Sequence, residues 1–308
     1  MSLPPSIRNR LKVPAIAAPL FLVSGPDLVI AACKAGVIGS FPAMNARSSD
    51  DFSHWMKRIT EETSSSDAPY AVNFSLARMK GARLDTDMET CRQYETPIII
   101  TSVGNPSPVV EGIHAWGGLV YHDVTTLYHA KKAADAGVDG LILVCTGAGG
   151  HAGPLSPFAM VEQVRSFFSG TIILAGAISS GRGIRAAEIL GADLAYLGTR
   201  FIATKEALAE DAYKNMIVAE KTDDIVYTNA ISGVPANFMR TSLTAVGLDP
   251  DNLPTPDGPF RPNLPDGLTA WNSIWSAGQG VGLIDDLPDT AELVSRLTKE
   301  YHSARQHD

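Results

Sequence analysis

Eight short runs of apolar residues, many of them β-branched, recur along the first two-thirds of the chain: 15–20, 37–42, 70–76, 97–104, 119–125, 140–146, 171–178 and 194–201. Each is nearly continuous in hydrophobicity, as expected of parallel strands covered on both faces, and none alternates as a half-exposed strand would. Between them lie stretches of helical character, among them 26–35, 50–62, 126–136, 157–168 and 183–190. Several close on an Ala-Gly or Gly-Ala step (Ala35-Gly36, Ala136-Gly137, Gly191-Ala192), where glycine suits a left-handed helix C-terminus. Eight such units in about 200 residues predict an α/β protein with a (β/α)8 barrel. The rival is a doubly wound open sheet, which usually carries fewer strands and a clear nucleotide fingerprint.

After Phe201 the pattern changes. Residues 204–222, rich in Ala, Glu and Lys, predict a helix, and the Pro-, Asp- and Gly-rich stretch 245–268 predicts a long loop or lid connection. Further helices are expected at 269–278 and 289–304. Residues 1–202 therefore read as the core of the barrel, and 203–308 as barrel completion, a helical lid and C-terminal helices.

With 308 residues, 45% hydrophobic and 19% charged, the chain reads as globular. No apolar run approaches the roughly 20 residues of a membrane span, and the opening MSLPPSIRNRLKVP has no signal-peptide core. Three widely spaced cysteines, Cys33, Cys91 and Cys145, fit a reducing cytoplasm without disulfides. A net charge of −8 argues against nucleic acid as a partner. Oligomeric state is left open, a homodimer being compatible with everything above.

In such a barrel the chemistry sits at the C-terminal ends of the strands and in the loops after them. The loop after the sixth run is Gly147-Ala-Gly-Gly-His-Ala-Gly153. Its glycines let backbone approach a flat ligand, and His151 can exchange a proton near neutral pH. After the seventh run, Ala175-Gly-Ala-Ile-Ser-Ser-Gly-Arg-Gly183 opens a helix, and after the eighth comes Gly198-Thr-Arg200. Small-residue loops at these two places suggest a phosphorylated cofactor held by backbone N–H groups, although such glycines also serve in plain tight turns. Gly147-x-Gly149-x-x-Ala152 formally matches a dinucleotide fingerprint. Pro154 and Pro157 prevent a helix from opening there, and residues 167–169 supply no acid for a ribose.

Other residues carry blander readings. His122 and Asp123 end the fifth run, where they either reach the site or form a structural pair. His54, His114 and His129 are expected on helices as surface or packing residues, Cys145 in the core, and Trp271 and Trp275 as packing residues four apart on a helix. Neither Ser156 nor Ser179 sits in a nucleophile elbow. No histidine pair has metal-ligand spacing, so no metal is expected.

Taken together, Gly149-Gly-His-Ala-Gly153, Gly191-Ala-Asp-Leu-Ala-Tyr-Leu-Gly-Thr-Arg-Phe201 and Ala17-Ala-Pro-Leu20 resemble the nitronate monooxygenases, also called 2-nitropropane dioxygenases, over most of residues 13–240. The resemblance implies a TIM barrel that binds FMN. It implies that Ala18, Pro19 and Leu20 line the flavin and that Asn73 hydrogen-bonds it. Gly149 and Gly150 would pass close to the cofactor, and Gly176, Ala177, Gly198 and Thr199 would hold its phosphate. His151 matches the family's catalytic histidine, and Ala277-Gly-Gln-Gly280 is also family-like. The chain departs from the pattern in three places. Leu20 stands where many relatives have methionine, Ala177 replaces a second glycine, and Asp123 stands where some place a lysine near the flavin. An anion at 123 would not stabilise a reduced, negatively charged flavin, so that carboxyl is expected to be neutral or turned elsewhere.

The reaction so implied is oxidation of alkyl nitronates or nitroalkanes with O2 to carbonyl compounds and nitrite. Two alternatives remain on the same scaffold. One is NAD(P)H-dependent flavin reduction of enoyl thioesters or quinones, and the other a non-catalytic flavin- or phosphate-binding barrel.

Overall fold

The computed structural model describes residues 2–306. Eight strands, β1 (Ala15–Ala17), β2 (Ile38–Pro42), β3 (Tyr70–Ser75), β4 (Ile98–Ser102), β5 (Leu119–Val124), β6 (Gly140–Val144), β7 (Thr171–Ala175) and β8 (Leu194–Leu197), pair in parallel in chain order. The eighth returns to the first, with Ala15 opposite Ala195 and Ala17 opposite Leu197. That closure excludes the open sheet. Each apolar run contains one strand, and the ends of the runs turn out of the sheet as the loops that carry the site.

The helical ring is α1 (Pro26–Ala35), α2 (Ser49–Glu62), α3 (Ala82–Gln93), α4 (Ser107–His114), α5 (Leu127–Asp135), α6 (Pro157–Arg165), α7 (Gly181–Ile189) and α8 (Thr290–Arg305). Local chemistry sets their starts: Pro26 takes the first turn of α1, and Ser48 and Asp51 form a capping box on α2. The last helix of the chain packs between α1 and α7 and fills the remaining place in the ring.

Inside the barrel, every second residue of each strand points inward. Ile16, Ile38, Ile98, Ile100, Tyr121, Ile142, Ile173 and Leu194 fill it, and Leu3 and Ile7 from the N-terminal segment join this cluster. The interior is therefore a packed core, and space for a ligand exists only beyond the C-terminal ends of the strands.

Gly181, the first residue of α7, lies directly against α8. A Cβ there would come 2.1 Å from the Leu297 carbonyl oxygen and 2.5 Å from the Tyr301 nitrogen. Both obstacles are backbone, so the helices would have to separate. Gly181→Ala should destabilise the protein by at least about 2 kcal/mol, within the range for overpacking, measurable as a lowered midpoint in urea unfolding. An unchanged midpoint would mean that α8 is loosely docked.

Between β8 and α8 the chain makes a long excursion. A helix spans only Asp211–Ala219, not 204–222. Residues before it are claimed by other partners: the Lys205 N–H bonds the Pro288 carbonyl, the Leu208 N–H bonds that of Val23, and the Glu206 carboxylate accepts from the backbone N–H and hydroxyl of Thr290. Strands Ile225–Thr228 and Ala236–Met239 form an antiparallel ladder, and the second also pairs with Gly150–His151. A short helix, Arg240–Ala245, precedes 246–268, which are loop as expected.

The helix expected at 269–278 is absent. Residues 269–274 close on themselves in a non-helical turn, and from Trp275 onward the backbone is spent elsewhere. The Trp275 N–H bonds the Ser242 hydroxyl, its carbonyl accepts from the Met239 N–H, and the Gly278 N–H bonds the Thr199 hydroxyl. Trp271 and Trp275 are consequently not neighbours on one helix face. Among the described residues, no helix is long and apolar enough to cross a membrane.

Candidate active site

A cavity of about 1140 Å³ opens at the C-terminal ends of the barrel strands. Every residue singled out above as catalytic or cofactor-binding lies on its wall. The turn after β1 contributes Ala18, Pro19 and Leu20; β3 contributes Asn73 and β5 Asp123. The loop after β6 contributes Gly149, Gly150 and His151. Gly176 and Ala177 follow β7, and Gly198 and Thr199 follow β8.

The His151 loop is held rigidly. His151 pairs with Ala236 and Gly150 with Asn237 in the antiparallel ladder. The Gly150 N–H donates to the Ser276 hydroxyl at 2.7 Å, which donates to the Asn237 carbonyl at 2.6 Å, and the Asn237 amide donates to the Ala148 carbonyl at 2.7 Å. Tyr213 donates to the Ser276 carbonyl. The sequence predicts a glycine-rich loop after the sixth strand. The structure instead makes it one strand of a small sheet whose partners come from the excursion.

A strap, residues 276–280, crosses this loop so closely that only glycine fits. A Cβ on Gly149 would meet the Gly278 nitrogen at 2.9 Å, and one on Gly278 would meet the Gly147 oxygen at 2.6 Å. The Gln279 N–H bonds the Gly147 carbonyl, and the Gly278 N–H bonds the Thr199 hydroxyl at 2.9 Å. The Ala277–Gly280 motif thus ties the loops after β6 and β8 together.

His151 is boxed by aromatic edges. The Trp271 ring lies 4.8 Å away, centroid to centroid, and the Phe260 ring 6.1 Å away, both nearly perpendicular to the imidazole. Its Nε2 is buried without a protein partner. Burial, and then the charge of Arg78, push the imidazole down to about 4, so it is neutral at physiological pH. The Arg78 guanidinium itself sits 5.9 Å from the Trp271 ring centroid. Trp271 and Phe260 both hold left-handed backbone, with φ of 64° and 58°. Such strain in bulky residues gathers at functional sites. Trp271 was expected as packing; only the non-helical path of 269–278, invisible to periodicity, brings it to the histidine.

His122 and Asp123 do not pair with each other. Strand alternation sends them to opposite faces of β5. His122 bonds the Thr101 hydroxyl through Nδ1 at 2.7 Å and is pushed down to about 4, chiefly by burial. Asp123 faces inward, its Oδ1 buried and without a partner. Of the two expectations for this carboxyl, being turned toward another group is not met.

The loops after β7 and β8 differ in what they can offer an anion. Two of the N–H groups opening α7 already have partners: that of Gly181 donates to the Glu300 carboxylate and that of Gly183 to the Ser180 hydroxyl. What faces the cavity is the turn before α7, 176–179, and Gly198-Thr199. Ala177 adopts φ 54°, the backbone a glycine would hold without cost. Arg200 turns away from the cavity, buried, and donates to the Ala203 and Asp286 carbonyls. Cys145 is buried in the core. Among the described residues, no group of three or more His, Cys, Asp or Glu is placed to hold a metal ion.

A family model described as nitronate monooxygenase matches residues 44–300. A nitronate monooxygenase of Paraburkholderia phytofirmans is 29% identical over 343 aligned positions, covering 93% of this chain and 92% of that protein. Another, of Pseudomonas aeruginosa, is 30% identical over 213 positions, covering 63% and 60%. Among solved structures, nitroalkane oxidase from Streptomyces ansochromogenes superposes with a TM-score of 0.81 at 24% identity, covering 98% of this chain and 99% of that one. FabK from Thermotoga maritima superposes with a TM-score of 0.78, also at 24% identity, covering 99% and 98%. Both likenesses establish a common fold.

Proposed function

Because the chain belongs to the nitronate monooxygenase family of oxidoreductases, we propose that it binds FMN in the cavity and oxidises alkyl nitronates or nitroalkanes with O2 to carbonyl compounds and nitrite. The observation that carries this reading is the neutral imidazole of His151, whose buried Nε2 has no protein partner on the wall of a large cavity.

The residues present suit a flavin. At about 1140 Å³ the cavity exceeds the roughly 300–1,000 Å³ of ordinary small-molecule sites, leaving room for a cofactor and a substrate together. One wall is backbone and small side chains, and the floor carries polar atoms on Asp123 and Tyr196 that no protein group satisfies. Ala18, Pro19 and Leu20 would supply apolar contact, Asn73 an amide, and Gly176, Ala177, Gly198 and Thr199 the groups facing the phosphate. FMN, when bound, would supply the redox chemistry.

The protein's own task is to place the substrate and manage one proton. A neutral Nε2 can accept the α-proton of a nitroalkane. The imidazolium so formed is disfavoured by burial, but it arises beside the nitronate anion created in the same step, which offsets that cost. The Trp271 and Phe260 rings, both nearly perpendicular to the imidazole, would confine its orientation. For a preformed nitronate no proton needs removal, and His151 would then serve only to hold the nitro group. Oxygen uptake with nitrite release from propyl-2-nitronate, and no anaerobic bleaching of the flavin by NADH, is the expected pair of results. Rapid bleaching by NADH without nitronate turnover would replace this reading with a reductase.

A further inference from the structure

Asp123 is the one acidic residue on the cavity wall among the described residues; the basic side chains on that wall are His122, His129, His151, Arg78 and Lys132, of which burial keeps the imidazoles of His122 and His151 uncharged. It occupies the first inward layer above the packed barrel interior, the level of Asn73, Ser102, Val144 and Tyr196. The flanking strands add no charge there. Its Oδ1 is sealed from solvent without a hydrogen bond or an ion pair. Tyr196, across the floor, also has a buried hydroxyl without a partner. Burial, and then the nearness of Asp123, push that phenol well above its usual range, so it stays protonated. His122, adjacent in sequence, faces the other side of β5 and bonds Thr101.

An ionised carboxylate with no cation against it is costly in such a place, and it can only accept hydrogen bonds. A protonated one keeps a donor. Burial alone pushes Asp123 up to about 7. Covering the floor with a ligand removes the exposure the side chain still has toward the cavity, which favours the uncharged form further.

We propose that Asp123 is an uncharged carboxylic acid in the loaded site and donates a hydrogen bond to an acceptor atom of the ring system lying on the cavity floor. The inference rests on the reading of that ring as FMN. It makes position 123 a neutral donor, in contrast to a fixed positive charge, and couples cofactor affinity to pH through one proton.

The test is the dissociation constant of FMN for the apoprotein, measured by flavin fluorescence from about pH 6 to about pH 9. If only the protonated carboxyl accepts the ring, affinity weakens by about tenfold per pH unit once that group ionises in the free protein. Asp123→Asn, which keeps a donor and cannot ionise, should stay tight across the range. The FMN phosphate titrates equally with both proteins, so their difference isolates residue 123. The infrared difference spectrum on loading should show a protonated-carboxyl band in the parent that Asp123→Asn lacks, and the parent spectrum alone decides should the variant fold poorly. Parallel pH profiles, or no such band, overturn the inference while leaving FMN binding intact. Failure of both proteins to bind FMN at any pH overturns the functional reading and this inference with it.

Discussion

Replacing His151 by asparagine should leave the protein yellow and folded but cut turnover of a nitroalkane by about 10²–10⁴-fold, the usual worth of a general base. Turnover of the corresponding preformed nitronate should fall by less than about tenfold, because that substrate arrives without the α-proton. Asparagine preserves a polar side chain between the Trp271 and Phe260 edges, so the pocket need not collapse. The quantity to measure is the ratio of kcat/KM values for nitroethane and ethylnitronate, before and after substitution. Since the imidazole of the free protein is neutral down to about pH 4, its protonation should not depress nitroalkane turnover anywhere between about pH 6 and 8. Equal losses on both substrates would remove the base from the mechanism and leave His151 a binding group.

The second large effect is expected at the strap. Gly278→Ala places a methyl group 2.6 Å from the Gly147 oxygen and 2.8 Å from the Gly149 nitrogen. Both are backbone atoms of the His151 loop and neither can swing aside, so the strap must lift. Overpacking of this kind costs about 1–3 kcal/mol. If the displacement falls on the cavity wall, FMN affinity should drop about tenfold to a hundredfold while circular dichroism stays unchanged. Gly112→Ala is the control, since that glycine, like Gly278 (φ −86°), has no left-handed backbone, and nothing lies within 4 Å of its Cβ position. Unaltered affinity in Gly278→Ala would show that the strap is incidental to the ligand.

The barrel was legible in the sequence because its strands are buried on both faces and so spell themselves as unbroken apolar runs, even where β1 is only three residues long. The loops after those runs were legible for the same reason, since their position in the barrel follows from the strand count. The excursion between β8 and α8 was not. Residues 204–210 have helical composition, yet Lys205, Glu206 and Leu208 bond to partners from opposite ends of the chain. From Trp275 to Gly278 the backbone bonds to Met239, Ser242 and Thr199 in preference to itself. Propensity describes what a segment does alone, and these segments are never alone. The same blindness hid Trp271, Phe260 and Arg78, which reach His151 only through tertiary placement. Asp123 was visible as an anomaly in a family-like pattern. Its isolation from any counter-charge required coordinates.

The strap has a consequence for how the molecule is made. One wall of the cavity is set by Ala18, near the first strand, and another by Gly278, some 260 residues downstream. Emerging from the ribosome, the polypeptide can assemble most of its cylinder long before the segment that finishes the pocket exists. The pocket acquires its full set of walls only after synthesis of nearly the whole chain.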